Sequence, residues 1–284
     1  MFREKKPKVG LVLGSGAARG LAHIGVIKVL ERNNIPIDFI AGSSIGAMIG
    51  GLYSVTKDIS YVEEIALNTN WKEMMRMIDP AFGDGFISGD KVKDFIKKSL
   101  KHSSFEDLKI PFSAVATDIV EGKPVVFREG DLAGAIRASI GMPFVFHTLK
   151  QDGKVFCDGA LSMPIPVSVA REMGAEYIIA VDLDSDYFRQ ERKNINTNMI
   201  ELGHDLTMLI STHLAKEEMV GAEVVVVPKV SDVRWNAFFS RERTAEIIAR
   251  GEKAMEEMLP KLFEKKKEET PMEKIKEFFS TKIC

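Results

Sequence analysis

Twice within its first 55 residues the chain runs from a short apolar stretch, through a cluster of small residues, into a helical pattern. The first unit is Val9 to Leu13, the glycines of Gly14 to Gly20, and a helix from Leu21 to Glu31. The second is Ile37 to Ala41, a small-residue turn, and an apolar helix from about Ile45 to Val55. Strand-helix units this short predict parallel strands with helices on their faces, an α/β layered domain. Phe112 to Thr117, Val125 to Arg128, Tyr177 to Asp182 and Glu223 to Val227 read as further strands, the last two as continuous apolar runs covered on both faces. Asp152-Gly153 between two apolar stretches marks a hairpin turn. Helices are expected at 60–69, 90–100, 131–138, 165–173, 197–219 and 242–258.

With 45% apolar residues the chain can bury a large core, so global disorder is excluded. A net charge of -2, from 39 Lys+Arg against 41 Asp+Glu, gives no basic excess for binding nucleic acid. Two cysteines, Cys157 and Cys284, build no disulfide framework, and no apolar stretch follows the charged opening; a cytoplasmic address is expected. Phe39 to Thr56 is 18 residues without a formal charge, the length of a membrane span. Its glycines and serines lack the aliphatic density that insertion needs, and Gly42, Gly46 and Gly50 have the spacing of a helix-packing motif. Residues 1–259 are read as one catalytic domain and 260–284 as a charged, amphipathic C-terminal tail.

Gly42-Ser43-Ser44-Ile45-Gly46 lies between a predicted strand and a predicted helix. A nucleophilic serine needs a sharp strand-to-helix turn that exposes its hydroxyl, and the strain leaves no room for side chains two residues before and after it. Glycines 42 and 46 meet both demands, and the helix behind offers unpaired N–H groups to an oxyanion. Close helix-strand packing alone would also explain the pair. The first loop, Gly14-Ser15-Gly16-Ala17-Ala18-Arg19-Gly20, departs from a dinucleotide fingerprint because Arg19 takes the third glycine's place and no acidic residue ends the second strand. No Lys-Ser or Lys-Thr follows, so it is no P-loop. Bare backbone N–H groups suited to a negatively charged oxygen remain.

A serine hydroxyl needs a base. The order Ser44, an aspartate, then His204 or His213 would suit a hydrolase triad, but both histidines fall within one predicted helix among Met, Leu and Ile, as partly buried structural residues would. His23, one turn into the first helix, reads as a packing or loop-anchoring residue; His102 and His147 complete the five. Asp158, at the end of a strand and followed by Gly159 and Ala160, is the stronger base candidate, although Asp-Gly is also an ordinary turn signal. Its ordinary pKa, near 3.9, would have to be raised by burial for it to deprotonate a serine.

Four blocks in order now carry a resemblance to the patatin-like phospholipases of the small bacterial or archaeal kind. They are Gly14 to Gly20 with the following Leu21 to Val26, Gly42 to Gly46, Arg137-Ala138-Ser139 to Pro143-Phe144, and Asp158-Gly159-Ala160. The resemblance implies a Ser44–Asp158 dyad in place of a triad. It also implies an oxyanion hole from the loop that includes Gly14, Ser15, Gly16, Ala17 and Arg19, and a three-layer, mostly parallel sheet between helices with a helical C-terminal tail. Ser15 interrupts a run often made of three glycines, and Ile45 places a branched side chain beside the nucleophile.

The expected activity is hydrolysis of lipid carboxylic esters, of phospholipid or lysophospholipid, with no cofactor and no metal. The cluster Met74, Met75, Met77, Ile78, Phe82 and Phe86 could wall a fatty acyl chain or simply pack a core, and 70–90 and 184–198 are lid candidates. The tail residues Met272, Ile275, Phe279 and Ile283 share a helical face that could lie on a membrane surface as a peripheral contact, or dock on a partner. Two rival classes stand beside the enzyme: a catalytically silent regulatory or scaffold protein on the same fold, and a nucleotide-binding Rossmann module. The sequence leaves the oligomeric state open.

Overall fold

The structure is a computed structural model that describes residues 6–69, 89–100, 104–143, 146, 148–185, 199–234 and 237–263. Eight strands among these residues form one sheet: β1 (Val9–Leu13), β2 (Phe39–Ser43), β3 (Phe112–Asp118), β4 (Lys123–Phe127), β5 (Leu149–Gln151), β6 (Lys154–Asp158), β7 (Tyr177–Val181) and β8 (Val224–Val226). β3, β2, β1, β7 and β8 run parallel, while β4, β5 and β6 join at the β3 end as antiparallel strands. β1 is buried throughout, as a continuous apolar run demands of a central strand covered on both faces.

The registers on β3 decide where chemistry can occur. β4 occupies one edge of β3 along Ala114 to Asp118. Its other edge is shared: β2 pairs as far as Val115, opposite Ser43, and β6 takes over at Ala116, opposite Asp158. A strand has only two hydrogen-bonding edges, so β2 and β6, arriving from opposite directions, end against each other. Gly159 allows the approach: a Cβ there would lie 2.3 Å from the Val115 carbonyl and 2.5 Å from Ser43 Oγ.

The helices are α1 (Ala22–Arg32), α2 (Ile45–Thr56), α3 (Ile59–Asn68), α4 (Gly89–Leu100), α5 (Leu132–Ser139), α6 (Val167–Glu172), α7 (Met199–Glu218) and α8 (Arg241–Met258). One face of the sheet carries the larger core, with Leu11, Leu13 and Ile40 from the strands against Ile24, Ile27 and Leu30 of α1, Ile49 and Leu52 of α2, and Ile247, Ile248 and Met255 of α8. The other face packs Val12, Ala41 and Ala180 against Val167, Val169 and Ala170 of α6. α1 and α8 cross at glycines: a Cβ on Gly25 would meet the Ile248 carbonyl at 2.0 Å, and one on Gly251 the Ala22 carbonyl at 2.0 Å.

Element types follow the sequence, with β2 and α6 starting two residues later than expected. β2 starts at Phe39 rather than Ile37, because Asp38 turns its carboxylate onto the Val9 N–H. α6 starts at Val167 rather than 165, behind Pro164 and Pro166. The hairpin at Asp152-Gly153 has positive φ at both residues, 51° and 75°, as a type I′ turn requires. The uncharged run from 39 to 56 is β2, a turn and α2, and no described helix is long and apolar enough to cross a membrane. The cluster from Met74 to Phe86, the span 186–198, His102, His147, and the tail from 264 onward, with Met272 to Ile283 and Cys284, lie outside the described residues.

Candidate active site

Ser44 sits between β2 and α2 with φ 56° and ψ -125°, a left-handed conformation unusual for a serine. Its flanking glycines have separate tasks. A Cβ on Gly42 would press on Gly46 O at 2.6 Å and Ala47 N at 2.7 Å, so Gly42 lets the first turn of α2 fold back over β2. A Cβ on Gly46 would lie 2.0 Å from the Leu13 carbonyl, so Gly46 lets α2 cross the end of β1, where the glycine loop begins. Ile45, expected to crowd the nucleophile, packs its side chain against the open face of Gly20.

Ser44 Oγ donates to Asp158 Oδ2 at 2.8 Å, while Asp158 Oδ1 accepts from the Ala160 N–H at 2.9 Å. Asp158 is 1% exposed, and burial pushes its carboxyl up to about 7 against the opposing pull of those two hydrogen bonds. Its backbone is fixed as well, with N–H to the Gly141 carbonyl and C=O to Thr117 Oγ1. Ser139, on α5, takes the Ser44 N–H at 2.9 Å and donates to the Val115 carbonyl, tying the elbow to β3 where β2 and β6 meet.

A sequence model of the family "Patatin-like phospholipase" matches residues 11–171, more than half of the chain. The chain belongs to this family. An NTE family protein of Mycobacterium bovis is 38% identical over 63% of this chain and 49% of its own length. Lysophospholipase NTE1 of Yarrowia lipolytica is 33% identical over 62% of this chain and 13% of its own. The chain thus spans about half, or less, of the curated relatives it matches. Among solved structures, VipD from Legionella pneumophila superposes with a TM-score of 0.52 at 12% identity, covering 90% of this chain and 67% of its own. The type III effector protein ExoU superposes with a TM-score of 0.50 at 12% identity, covering 90% of this chain and 53% of its own, a likeness of fold alone.

In this patatin-like site the glycine loop is narrower in its offer than the sequence suggests. The Gly14 N–H donates to the Val181 carbonyl, the Ser15 N–H to Pro164, and the Arg19 N–H back to Gly16, so three of the five expected backbone donors are committed to the fold. The N–H groups of Gly16 and Ala17 take no backbone partner among the described residues, and both residues have positive φ, 152° and 49°. Arg19 sets the aim of the Ala17 N–H. Its N–H and Nε both hold the Gly16 carbonyl, and in a trans peptide that turns the Ala17 N–H the opposite way.

Arg19 is itself buried, paired at 3.0 Å with Asp184 just beyond β7. Asp184 also accepts from Ser15 Oγ at 3.0 Å and from Ser211 Oγ, on α7, at 2.7 Å. This brace eluded sequence reasoning, since Asp184 and Ser211 lie 169 and 196 residues from Ser15 and carry no local signature. His23 anchors the other side of the loop. It bonds the Gly14 carbonyl through Nε2 at 2.8 Å, and burial lowers its pKa to about 4, which keeps it neutral. His204 is buried beside Asp205, whereas His213, expected to be partly buried, is exposed and bonds the Leu209 carbonyl of its own helix. Among the described residues no three His, Cys, Asp or Glu groups are arranged to hold a metal.

Proposed function

We propose that the protein is a serine acyl hydrolase of lipid carboxylic esters, phospholipid or lysophospholipid, working through Ser44 and Asp158. The observation that carries this reading is the 2.8 Å bond from a hydroxyl on a strained elbow to a buried carboxylate whose pKa stands near 7. Ser44 Oγ attacks the ester carbonyl carbon while Asp158 Oδ2 takes the hydroxyl proton. The tetrahedral oxyanion rests on the N–H groups of Gly16 and Ala17 and on the N-terminus of α2. Collapse breaks the bond to the alcohol, which leaves with the proton from Asp158. Water then attacks the acyl-serine, loses its proton to the same carboxylate, and releases the fatty acid as Ser44 recovers its hydrogen. Membership of the family and the lysophospholipase name of a relative support a lipid substrate.

Treatment with a fluorophosphonate, followed by mass spectrometry, is expected to find the adduct on the peptide holding Ser44 and nowhere else. An adduct on another residue, or none, would overturn the nucleophile. The brace gives a second expected result. Arg19→Met is expected to lower kcat by about 100-fold, the range for a lost oxyanion donor, because the Gly16 carbonyl then keeps only the backbone N–H of its two holds and Asp184 loses its cation. KM should move far less, since the ester's ground state does not need those donors; an equal loss in both would remove the assigned aim of the loop.

A further inference from the structure

α7 is amphipathic in the wrong sense for a protein surface. Its inward face carries His204, Thr207, Ser211 and Thr212 beside Met208 and Ala215, all buried, and Ser211 and Thr212 serve Asp184. Its outward face carries Leu202, Leu206, Leu209 and Ile210, each 42–48% exposed, at the i, i+4, i+7, i+8 spacing that forms one stripe. A row of four aliphatic side chains held out of the core marks a contact surface.

The helix that carries the stripe also supports the site. α7 packs on the 3-10 turn Gly159–Leu161 that follows Asp158, and through Ser211 and Asp184 it holds the glycine loop. On the other flank of that turn β3 ends at Asp118, one residue past Thr117, which bonds the Asp158 carbonyl and Ser162. The next two residues, Ile119 and Val120, are exposed as well. The base turn therefore has α7 on one side and this exposed apolar pair on the other, at the end of the sheet where β1, β2 and β7 deliver their loops.

We infer that α7 and the β3–β4 turn are the face with which the protein lies on a lipid surface, an inference that rests on the lipid-ester reading above. A long-chain lipid reaches an enzyme from an aggregate, so the rim of its site has to meet that aggregate. Charge selects the lipid. Among the described residues of α7 the charged side chains outside the buried face are Asp205, Lys216, Glu217 and Glu218, with no basic excess, so the face suits a zwitterionic phosphocholine surface rather than an anionic one. Area argues against a second copy of the chain. Even with Ile119 and Val120 added to the four side chains of α7, the face offers roughly 550 Å², short of the roughly 800 Å² per partner of a standard interface.

The test uses full-length Ser44→Ala protein, which binds without turnover, and phosphatidylcholine vesicles in a flotation assay. The protein is expected to float equally in low and high salt. Leu206→Ser/Leu209→Ser/Ile210→Ser is expected to float roughly 10-fold less, whereas Val220→Ser, an exposed valine beyond the end of α7, floats as its parent does. In the Ser44 background, the triple variant should lose hydrolysis of vesicle lipid far more than hydrolysis of a water-soluble short-chain ester. The inference is overturned if the parent does not float, if it floats only with anionic lipid, or if the triple variant floats like its parent. It is also overturned if the triple variant turns a dimer into a monomer, which assigns the stripe to a second copy. So is it if its unfolding temperature falls as for a core truncation, which assigns the stripe to the chain's own segments. Flotation that follows the stripe in a protein that no fluorophosphonate labels would keep the docking face and discard the acyl-hydrolase reading.

Discussion

Asp158→Asn is expected to lower kcat/KM for a water-soluble ester by about 1000-fold or more, with Ser44→Ala removing the acyl-enzyme route altogether. The substitution keeps the shape of the side chain and an oxygen for the Ala160 N–H, and takes away only the ability to accept the Ser44 proton. The pH profile of the unaltered protein follows from the same group. Asp158 must be ionised to act, so kcat/KM should fall about 10-fold per unit below pH 7 and level off above it. Stability should run the other way. A carboxyl raised from 3.8 to about 7 binds its proton more tightly folded than unfolded, so its contribution to stability is fully present below about pH 4 and is lost as pH rises through 7. Asp158→Asn should therefore unfold at a higher temperature than the unaltered protein at pH 8, and at nearly the same temperature at pH 4. Equal unfolding temperatures at both pH values, or residual activity above a tenth, would remove Asp158 from the role of buried base.

Gly251→Val is expected to cost about 3 kcal/mol of stability and several degrees of Tm, the largest packing effect proposed for this protein. A Cβ at this position would already lie 2.0 Å from the Ala22 carbonyl and 2.9 Å from its Cα, so α8 can accept the branched side chain only by lifting away from α1. Lifting would uncover Ile247, Ile248 and Met255, which belong to the main core. Lys253→Val, on the exposed side of the same helix, adds the same branched side chain without the clash, at a small cost in helix propensity that Gly251→Val does not carry, and is the control for thermal unfolding. Equal unfolding temperatures for the two variants would mean that α8 is not part of the catalytic unit proposed for residues 1–259.

The parts of the site that were legible in the sequence are those whose cause is local. Gly42 and Gly46 bracket a serine between an apolar strand and an apolar helix, and the steric demand behind that spacing is met within five residues. Asp158-Gly159 at the end of a strand is likewise a short-range signal. What no local pattern reveals is that β6 runs against β3 and ends on β2, pairings that span 42 and 72 positions and bring together Ser44 and Asp158, 114 positions apart. The glycine loop was legible as a set of donors but not in its division of labour, because Val181 and Pro164, distant in sequence, claim two of them. α7 misled for a different reason. Its period marked a helix correctly, but burial does not follow hydrophobicity along it: Thr207, Ser211 and Thr212 face inward with Met208 and Ala215, while Leu202, Leu206, Leu209 and Ile210 face out.

The head-on meeting of β2 and β6 gives the two reacting side chains unequal mechanical freedom. Ser44 stands on an elbow pinned from α5, and Asp158 ends a strand whose only continuation is a tight turn beneath α7. Both are stretched along one rail, the edge of β3, so a strain that lengthens or slides that strand changes their separation directly, whereas rotation of the outer helices leaves it untouched. Substitutions along Ala114 to Thr117 should thus alter turnover more sharply than equally large changes in α1 or α8.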